Sequence, residues 1–173
     1  MARAALSKGP PLPGNWEKFY NGDFTEAGLG GKETPVVDSY AEHAASMYPH
    51  VTYSKRLNKY VLTFNINRLA EIKEGLPLTK SGIYIALSDD GIKWSGPVKL
   101  ISTYSQRALG FSISIEPTLI LDNQDGLAGW LVYAYTPKYS NGAVPGTPLY
   151  LVGRRIEFKN AGVRTDPKTK DVK

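Results

Sequence analysis

The chain has 173 residues, the length of one ordinary domain that can bury a hydrophobic core. It has no cysteine, which excludes disulfides, thiol nucleophiles and zinc held by cysteine. No stretch approaches the roughly 18 apolar residues of a membrane span, and the N-terminus has no apolar segment long enough for a secretory signal. The compartment stays open, with the cytoplasm as the expectation for the chain as it stands.

The formal net charge of +5 is concentrated near the C-terminus. Residues 159–173 hold five lysines and arginines, two aspartates and no aromatic residue. This composition predicts a basic, disordered tail after a folded body over residues 16–158, with an extended N-terminal arm over residues 1–15. A nucleic-acid-binding protein is expected to carry its basic residues on the folded body, so neither nucleic acid nor a membrane is a predicted partner.

Glycine, proline and aromatic residues are abundant and predict an all-β fold of short strands: 17 Gly, 12 Pro, 11 Tyr, 5 Phe and 3 Trp. In chain order, residues 16–20 alternate as a strand, and residues 21–23 form a turn. The glycine-rich residues 24–32 are predicted to be a loop, and without a Gly-Lys-Ser/Thr sequence this loop is not a phosphate cradle. Residues 33–47 connect to the next strand, with short helical character over residues 40–47.

A four-stranded antiparallel meander is predicted in the middle of the chain. Its strands are residues 48–53, 59–65, 82–87 and 93–100, with a turn over residues 54–58 between the first two. Ser88-Asp89-Asp90-Gly91 forms the turn between the last two strands, because Asp side chains accept backbone N–H groups and Gly supplies a positive φ. Trp94 begins the return strand.

The same strand pattern returns later in the chain, over residues 116–121, 129–135 and 148–152. The matching pairs are Pro49 and Pro117, Tyr60 and Trp130, and Tyr84 and Tyr150, which lie 68, 70 and 66 residues apart. A near-constant separation indicates a repeated supersecondary unit, and four strands per unit fit β-propeller blades. The second unit ends with residues 154–158 and is predicted to be one strand short. The mid-strand aromatic residues Tyr60, Trp130, Tyr133 and Tyr135 are predicted to be core between blades.

The predicted fold class is therefore all-β, with antiparallel four-stranded propeller blades. Each chain supplies about two blades plus one extra strand, residues 16–20. Closed propellers have four to eight blades, and open blade edges and faces favour association. A homo-oligomer, a dimer or a trimer, is predicted to complete the ring.

The hairpin Ser88-x-Asp90-Gly91-x-x-Trp94 resembles the outer hairpin of β-propeller blades in sugar-processing enzymes. It is similar to the Asp box of sialidases but one residue shorter, as in the five-bladed arabinanase, xylosidase and invertase group. Residues 15–158 resemble the C-terminal half of such a glycoside-hydrolase-like propeller. In that family the hairpin lies on the rim, so the resemblance implies that these four residues serve the turn and its packing rather than catalysis.

The resemblance also implies catalytic candidates. In these hydrolases an Asp base, a Glu acid and a third Asp converge on a central funnel, which the innermost strand of each blade lines. Glu116, immediately before Pro117, is the first candidate acid, Glu26 is the second, and Asp38 is the candidate base. A hydrogen bond to a neighbouring blade or an Arg is the alternative role for Glu116, and helix capping is the alternative for Asp38. The N-terminal blades that carry the Asp base in the family have no counterpart in this sequence.

Three further residues are candidate carbohydrate ligands. Tyr48 occupies the position of Glu116 in the first unit, where its ring can pack on the apolar face of a pyranose. His43 and His50 can bind sugar hydroxyls. Two histidines seven residues apart without a matched third ligand do not indicate a metal site, and no cofactor is predicted.

Three functions remain open from the sequence. The first is a carbohydrate-binding propeller module that several chains complete. The second is an active glycoside hydrolase in which the assembled chains supply the paired carboxylates that glycosidic cleavage needs. The third is an inactive hydrolase fragment that serves as a protein-interaction module.

Overall fold

The computed structural model of the protein describes residues 1–4, 9–10, 12–37, 44–68, 81–102, 111–113, 117–122, 126–137, 150–159 and 162–165. The chain divides into two compact units, Met1–Asp38 and Ser39–Lys173. The described residues form β-strands and one 3₁₀ turn at Pro13–Asn15, so the predicted all-β class is confirmed. None of them belongs to a helix with the length and hydrophobicity of a membrane span.

The first unit contains a three-stranded antiparallel sheet. Its strands are, in spatial order, β1 (Ala2–Ala4), β2 (Trp16–Tyr20) and β3 (Asp23–Ala27). The predicted strand at Trp16–Tyr20 is confirmed, but it is not an odd strand, because it is the centre of a small sheet of its own. β1 lies within the segment expected to be an extended arm.

Part of the predicted glycine-rich loop is a strand instead. Asn21 and Gly22 have φ values of 50° and 103°, the pair of positive values that a tight type I′ hairpin turn requires. This turn directs residues 23–27 back along β2, and the rings of Phe19 and Phe24 meet edge to face at 5.4 Å. The loop therefore begins only after Ala27.

The second unit contains two sheets. The first sheet has the order β4 (Ala44–Ser54), β5 (Lys59–Arg68), β6 (Gly82–Ser88) and β7 (Val98–Ser102), and every neighbouring pair is antiparallel. The predicted four-stranded meander is thus confirmed, but its last strand begins at Val98 rather than at residue 93, and Trp94 forms an isolated bridge with Ser88. The expected helical character over residues 40–47 is wrong for residues 44–47, because they pair with β5 as the start of a long strand. Residues 40–43 lie outside the described part of the chain.

The second sheet repeats this meander. Its strands are β8 (Phe111–Ile113), β9 (Thr118–Leu121), β10 (Ala128–Pro137), β11 (Tyr150–Lys159) and β12 (Gly162–Thr165). β8 and β9 both pair with β10, β11 pairs with its other edge, and β12 pairs with β11. The prediction that this unit is one strand short is wrong. Residues 154–158 simply continue β11, and β12, within the segment expected to be a disordered tail, supplies the last strand.

One hydrophobic core lies between the two sheets. The first sheet contributes Val61, Ile83, Ile85 and Ile101, and the second contributes Leu119, Leu131, Tyr133, Ile156 and Phe158. β4 lies near β9 and β7 lies near β12, so the first strands of the two meanders are neighbours and so are the last strands. Apolar burial of this kind is the main favourable contribution to folding.

Candidate functional site

The first strand of the first sheet is interrupted at Tyr48 and Pro49. The ladder with β5 pairs Met47 with Asn65 and His50 with Thr63, so two residues of β4 face a single residue of β5. This arrangement is a β-bulge, which bends the strand and redirects its side chains. Tyr48 has a φ of 53° and is 40% exposed. A bulky residue in the left-handed region is an outlier, and such outliers cluster at functional sites.

In the second sheet, Pro117 is the residue that matches Pro49. β8 and β9 pair with the same edge of β10, and residues 114–116 between them lie outside the described part of the chain. Pro117 directly precedes β9 and is fully buried. The Thr63 hydroxyl donates a hydrogen bond of 3.1 Å to the Pro117 carbonyl, so the strand that faces the bulge is tied to Pro117 across the core.

His50 follows the bulge and lies opposite Thr63 on β5. Its Nδ1 atom is buried and has no hydrogen-bond partner among the residues that the structure describes. A buried ring nitrogen without a partner is costly, and a ligand hydroxyl that donates or accepts a hydrogen bond removes this cost. The candidate site consists of Tyr48, Pro49 and His50.

Of the three catalytic candidates, Glu26 alone lies within the part of the chain that the structure describes. Glu26 lies on β3 in the first unit, and its Oε2 accepts a hydrogen bond of 3.1 Å from the backbone N–H of Lys32. This contact closes the glycine-rich turn after β3, so the structure gives Glu26 a role in the turn. Glu116, Asp38 and His43 lie outside the described residues. Within the described part of the chain, no group of three or more His, Cys, Asp or Glu residues has the spacing of a metal site.

The turn of the Asp-box-like hairpin has the structure that its sequence predicts. The Ser88 hydroxyl accepts hydrogen bonds from the backbone N–H of Asp90 and Gly91, at 3.3 and 2.9 Å. The Asp90 carboxylate accepts from the N–H groups of Ile92 and Lys93, at 2.8 and 2.7 Å, and from the Ser88 hydroxyl. These side chains are therefore used within the turn, as expected.

Asp90 makes the stability of this hairpin dependent on pH. The backbone N–H groups of Lys93 and Ile92 lower the pKa of Asp90 below its ordinary value of 3.8. A carboxyl with a lowered pKa in the folded state stabilises the fold in full above the unfolded-state value, and this contribution disappears as the pH falls through the folded-state value. We expect Asp90→Asn to lower the urea midpoint at pH 7 and the difference from wild type to narrow as the pH falls below about 3.8.

Asp89→Asn is the matched control for that experiment. Asp89 is the neighbouring carboxylate and is paired only with Lys59 at the surface, with 80% of its side chain exposed. Exposed ion pairs of this type contribute little to stability. Equal pH profiles for the two variants would contradict the role assigned to Asp90.

One cluster was not predicted from the sequence. Trp130 was expected to be core, but it is 47% exposed on β10. Its neighbour Arg155 forms a bidentate ion pair with Asp122, with 2.9 Å between Nη1 and Oδ1, and the guanidinium lies 5.7 Å from the Trp130 ring centroid. This pairing lowers the pKa of Asp122 and raises that of Arg155. Only the strand register could have revealed the cluster.

The other aromatic residues predicted to be core have mixed outcomes. Tyr133 is buried, which confirms its prediction, whereas the prediction for Tyr60 is wrong, because this residue is 37% exposed near the end of β5.

No family model matches the chain, and none of the curated proteins matches it. The function is therefore inferred from the geometry of the site.

Proposed function

We propose that the protein is a carbohydrate-binding module built from β-propeller blades, and that Tyr48 and His50 contact the sugar. The observation that carries this proposal is the strained bulge at Tyr48, followed by His50, whose buried Nδ1 has no hydrogen-bond partner among the described residues. A tyrosine in the left-handed region costs on the order of 1–3 kcal/mol, and a glycine at this position would avoid that cost. A residue type that lowers stability is typically retained for function.

The arrangement of the two sheets supports the blade interpretation. Each sheet is a meander, and the two sheets pack face to face. The first strand of the first sheet, β4, lies near β9 at the start of the second meander. In a propeller the first strand of each blade lines the central channel, so the bulge on β4 would open towards it. Association of two copies of the chain would add a second pair of blades to this one.

The chemistry of the site fits a sugar. The exposed face of the Tyr48 ring offers an apolar surface for the C–H groups of a pyranose. His50 offers one ring nitrogen, and a sugar hydroxyl can either donate to it or accept from it. Hydrolysis would need two carboxyl groups at a fixed separation. Tyr48 and His50 offer a stacking surface and a ring nitrogen but no carboxyl group, so we propose binding rather than hydrolysis at this site.

Replacement of Tyr48 by glycine is expected to change glycan binding without lowering the stability of the fold. We expect Tyr48→Gly to weaken glycan binding by about tenfold or more, because the stacking surface is lost. The same change is expected to leave the urea midpoint equal to or above that of wild type, because glycine adopts a positive φ without strain. The binding measurement is a glycan array, followed by titration calorimetry with the best glycan.

Tyr53→Ala is the matched control. Tyr53 lies on the same strand and is 44% exposed, but it is far along β4 from the bulge, where its hydroxyl bonds to Asn58. We expect this variant to bind glycans as wild type does. Absence of any bound glycan in wild type, or equal binding by Tyr48→Gly, would overturn the proposed function.

A further inference from the structure

The outward face of the second sheet, opposite the core, carries exposed apolar side chains. Ile120 on β9 and Leu151 on β11 are 57% and 78% exposed, and Trp130 lies between them on β10. The ladder pairs Trp130 with Ile120 on one side and Ala134 with Leu151 on the other, so these side chains share one face. Val132 and Ala134 add half-buried apolar surface on the same face.

Trp130 is held in a fixed position on this face. Gly153 lies beneath its ring, where an added Cβ would be only 3.3 Å from a ring carbon. The guanidinium of Arg155, fixed by Asp122, covers another part of the ring. A large aromatic side chain that loses little conformational freedom on binding is the typical centre of a protein interface.

The register of the ladders identifies the face of the first sheet that corresponds to this one. Pro49 matches Pro117, and the residues that follow pair in the same way: His50 with Thr63, and Thr118 with Val132. Thr63 therefore matches Val132, and Val61 matches Trp130. Val61 and Thr63 are fully buried on the face of the first sheet that the second sheet covers.

The same face is thus covered by a β-sheet in the first meander and exposed in the second. We propose that the outward face of the second sheet is a homodimer interface, in which it packs on the same face of a second copy about a two-fold axis. Two apolar sheet faces that pack in this way form a sandwich, with side chains from both interdigitating. A two-fold contact is the commonest arrangement of soluble homo-oligomers.

Two observations favour a second copy in this face-to-face orientation. In a head-to-tail contact between copies, the exposed face would pack on the face of the first sheet that carries Leu62, Phe64 and Ile66. That face is already buried within one chain. The charges at the edge of the exposed face neutralise each other, in the pairs Asp122–Arg155 and Glu157–Lys159. A two-fold axis brings identical residues together, so charges that are already paired within each chain reduce like-charge repulsion.

Light scattering on a sizing column tests the proposal with the full chain. We expect wild type to have twice the monomer mass of 19.0 kDa, and Ile120→Glu and Leu151→Glu to weaken self-association by roughly 30-fold or more. Val51→Glu is the control, because Val51 is similarly exposed, at 46%, on the first strand of the other sheet. This control is expected to remain dimeric, and circular dichroism checks that all three variants are folded.

Cross-linking gives a second readout that does not depend on a charged substitution. The chain has no cysteine, so Leu151→Cys introduces a single thiol. A short bismaleimide is expected to link two copies of this variant but not two copies of Val51→Cys. A monomeric wild type, or dimers that survive both glutamate substitutions, would overturn the proposal. The proposal would also be overturned if the protein is a monomer and Trp130→Ala loses glycan binding. That result would make the outward face of the second sheet a sugar-binding surface.

The interface proposal rests on the blade arrangement proposed above but not on glycan binding. Tyr48→Gly is therefore expected to lose glycan binding and to remain a dimer. A dimer without glycan binding would support the interface and overturn the proposed function, so the two failures are distinguishable.

Discussion

Truncation of Ile85 to alanine is expected to destabilise the protein by about 2–5 kcal/mol, a large share of the stability of a domain of this size. Ile85 is 1% exposed at the centre of β6 and belongs to the core between the two sheets. The change removes buried apolar surface and leaves a cavity that neighbouring strands fill only in part, since their backbones are held by the ladders. The measurement is the urea midpoint at one protein concentration, with the m-value unchanged.

Val98→Ala is the matched control for this prediction. Val98 is the direct ladder partner of Ile85 on β7, but it is 47% exposed. Its truncation removes little buried surface and is expected to change stability by no more than about 0.5 kcal/mol. Similar losses for the two variants would contradict a core that lies between the sheets.

The substitution Gly126→Ala is expected to have the second largest effect, because it disturbs a contact between the two sheets. Gly126 has a φ of 62°, and its carbonyl accepts a hydrogen bond of 2.6 Å from the buried hydroxyl of Ser54. An added Cβ would lie 2.9 Å from that hydroxyl oxygen. The left-handed backbone costs alanine about 1–2 kcal/mol, and loss of the buried hydrogen bond costs about 1–3 kcal/mol more.

A double-mutant cycle with Ser54→Ala separates these two causes. Without the Ser54 hydroxyl, the added methyl no longer collides with it, and Gly126→Ala retains only the cost of the backbone strain. The double variant is therefore expected to be more stable than the sum of the single changes predicts, by about 0.5–3 kcal/mol. Urea unfolding of the four proteins measures this coupling. Additive changes would show that the contact between Ser54 and Gly126 carries no energy.

Local sequence signals determined the strands and turns of the meanders. Apolar and β-branched runs predicted strands over residues 59–65 and 82–87, and β5 and β6 contain these residues. The Ser88–Trp94 hairpin followed from its side chains alone, because its hydrogen bonds join residues close in sequence. Tyr48 was selected by its position before Pro49 and His50 by its side-chain chemistry, and the bulge was not foreseen.

Elements that depend on distant partners were missed. β3 follows a tight turn and pairs with β2, although its glycine-rich continuation suggested a loop. β12 is polar and short, and it is a strand only because the edge of β11 offers it hydrogen bonds. Residues 44–47 are extended for the same reason, since they pair with the end of β5. Backbone pairing compensates in each case for weak local propensity.

The sequence by itself determined the all-β class, the repeat of the meander and the residues that form its turns, because these depend on local composition and spacing. The tertiary structure decided which face each strand buries. The sequence aligned Tyr60 with Trp130, 70 residues apart, whereas the ladders align Thr63 with Val132, 69 residues apart. Because side chains alternate between faces, this one-residue difference places Trp130 on the face of its sheet opposite Leu131 and Tyr133, and that outward face is exposed. Register is set by hydrogen bonds between strands, and no single strand carries that information.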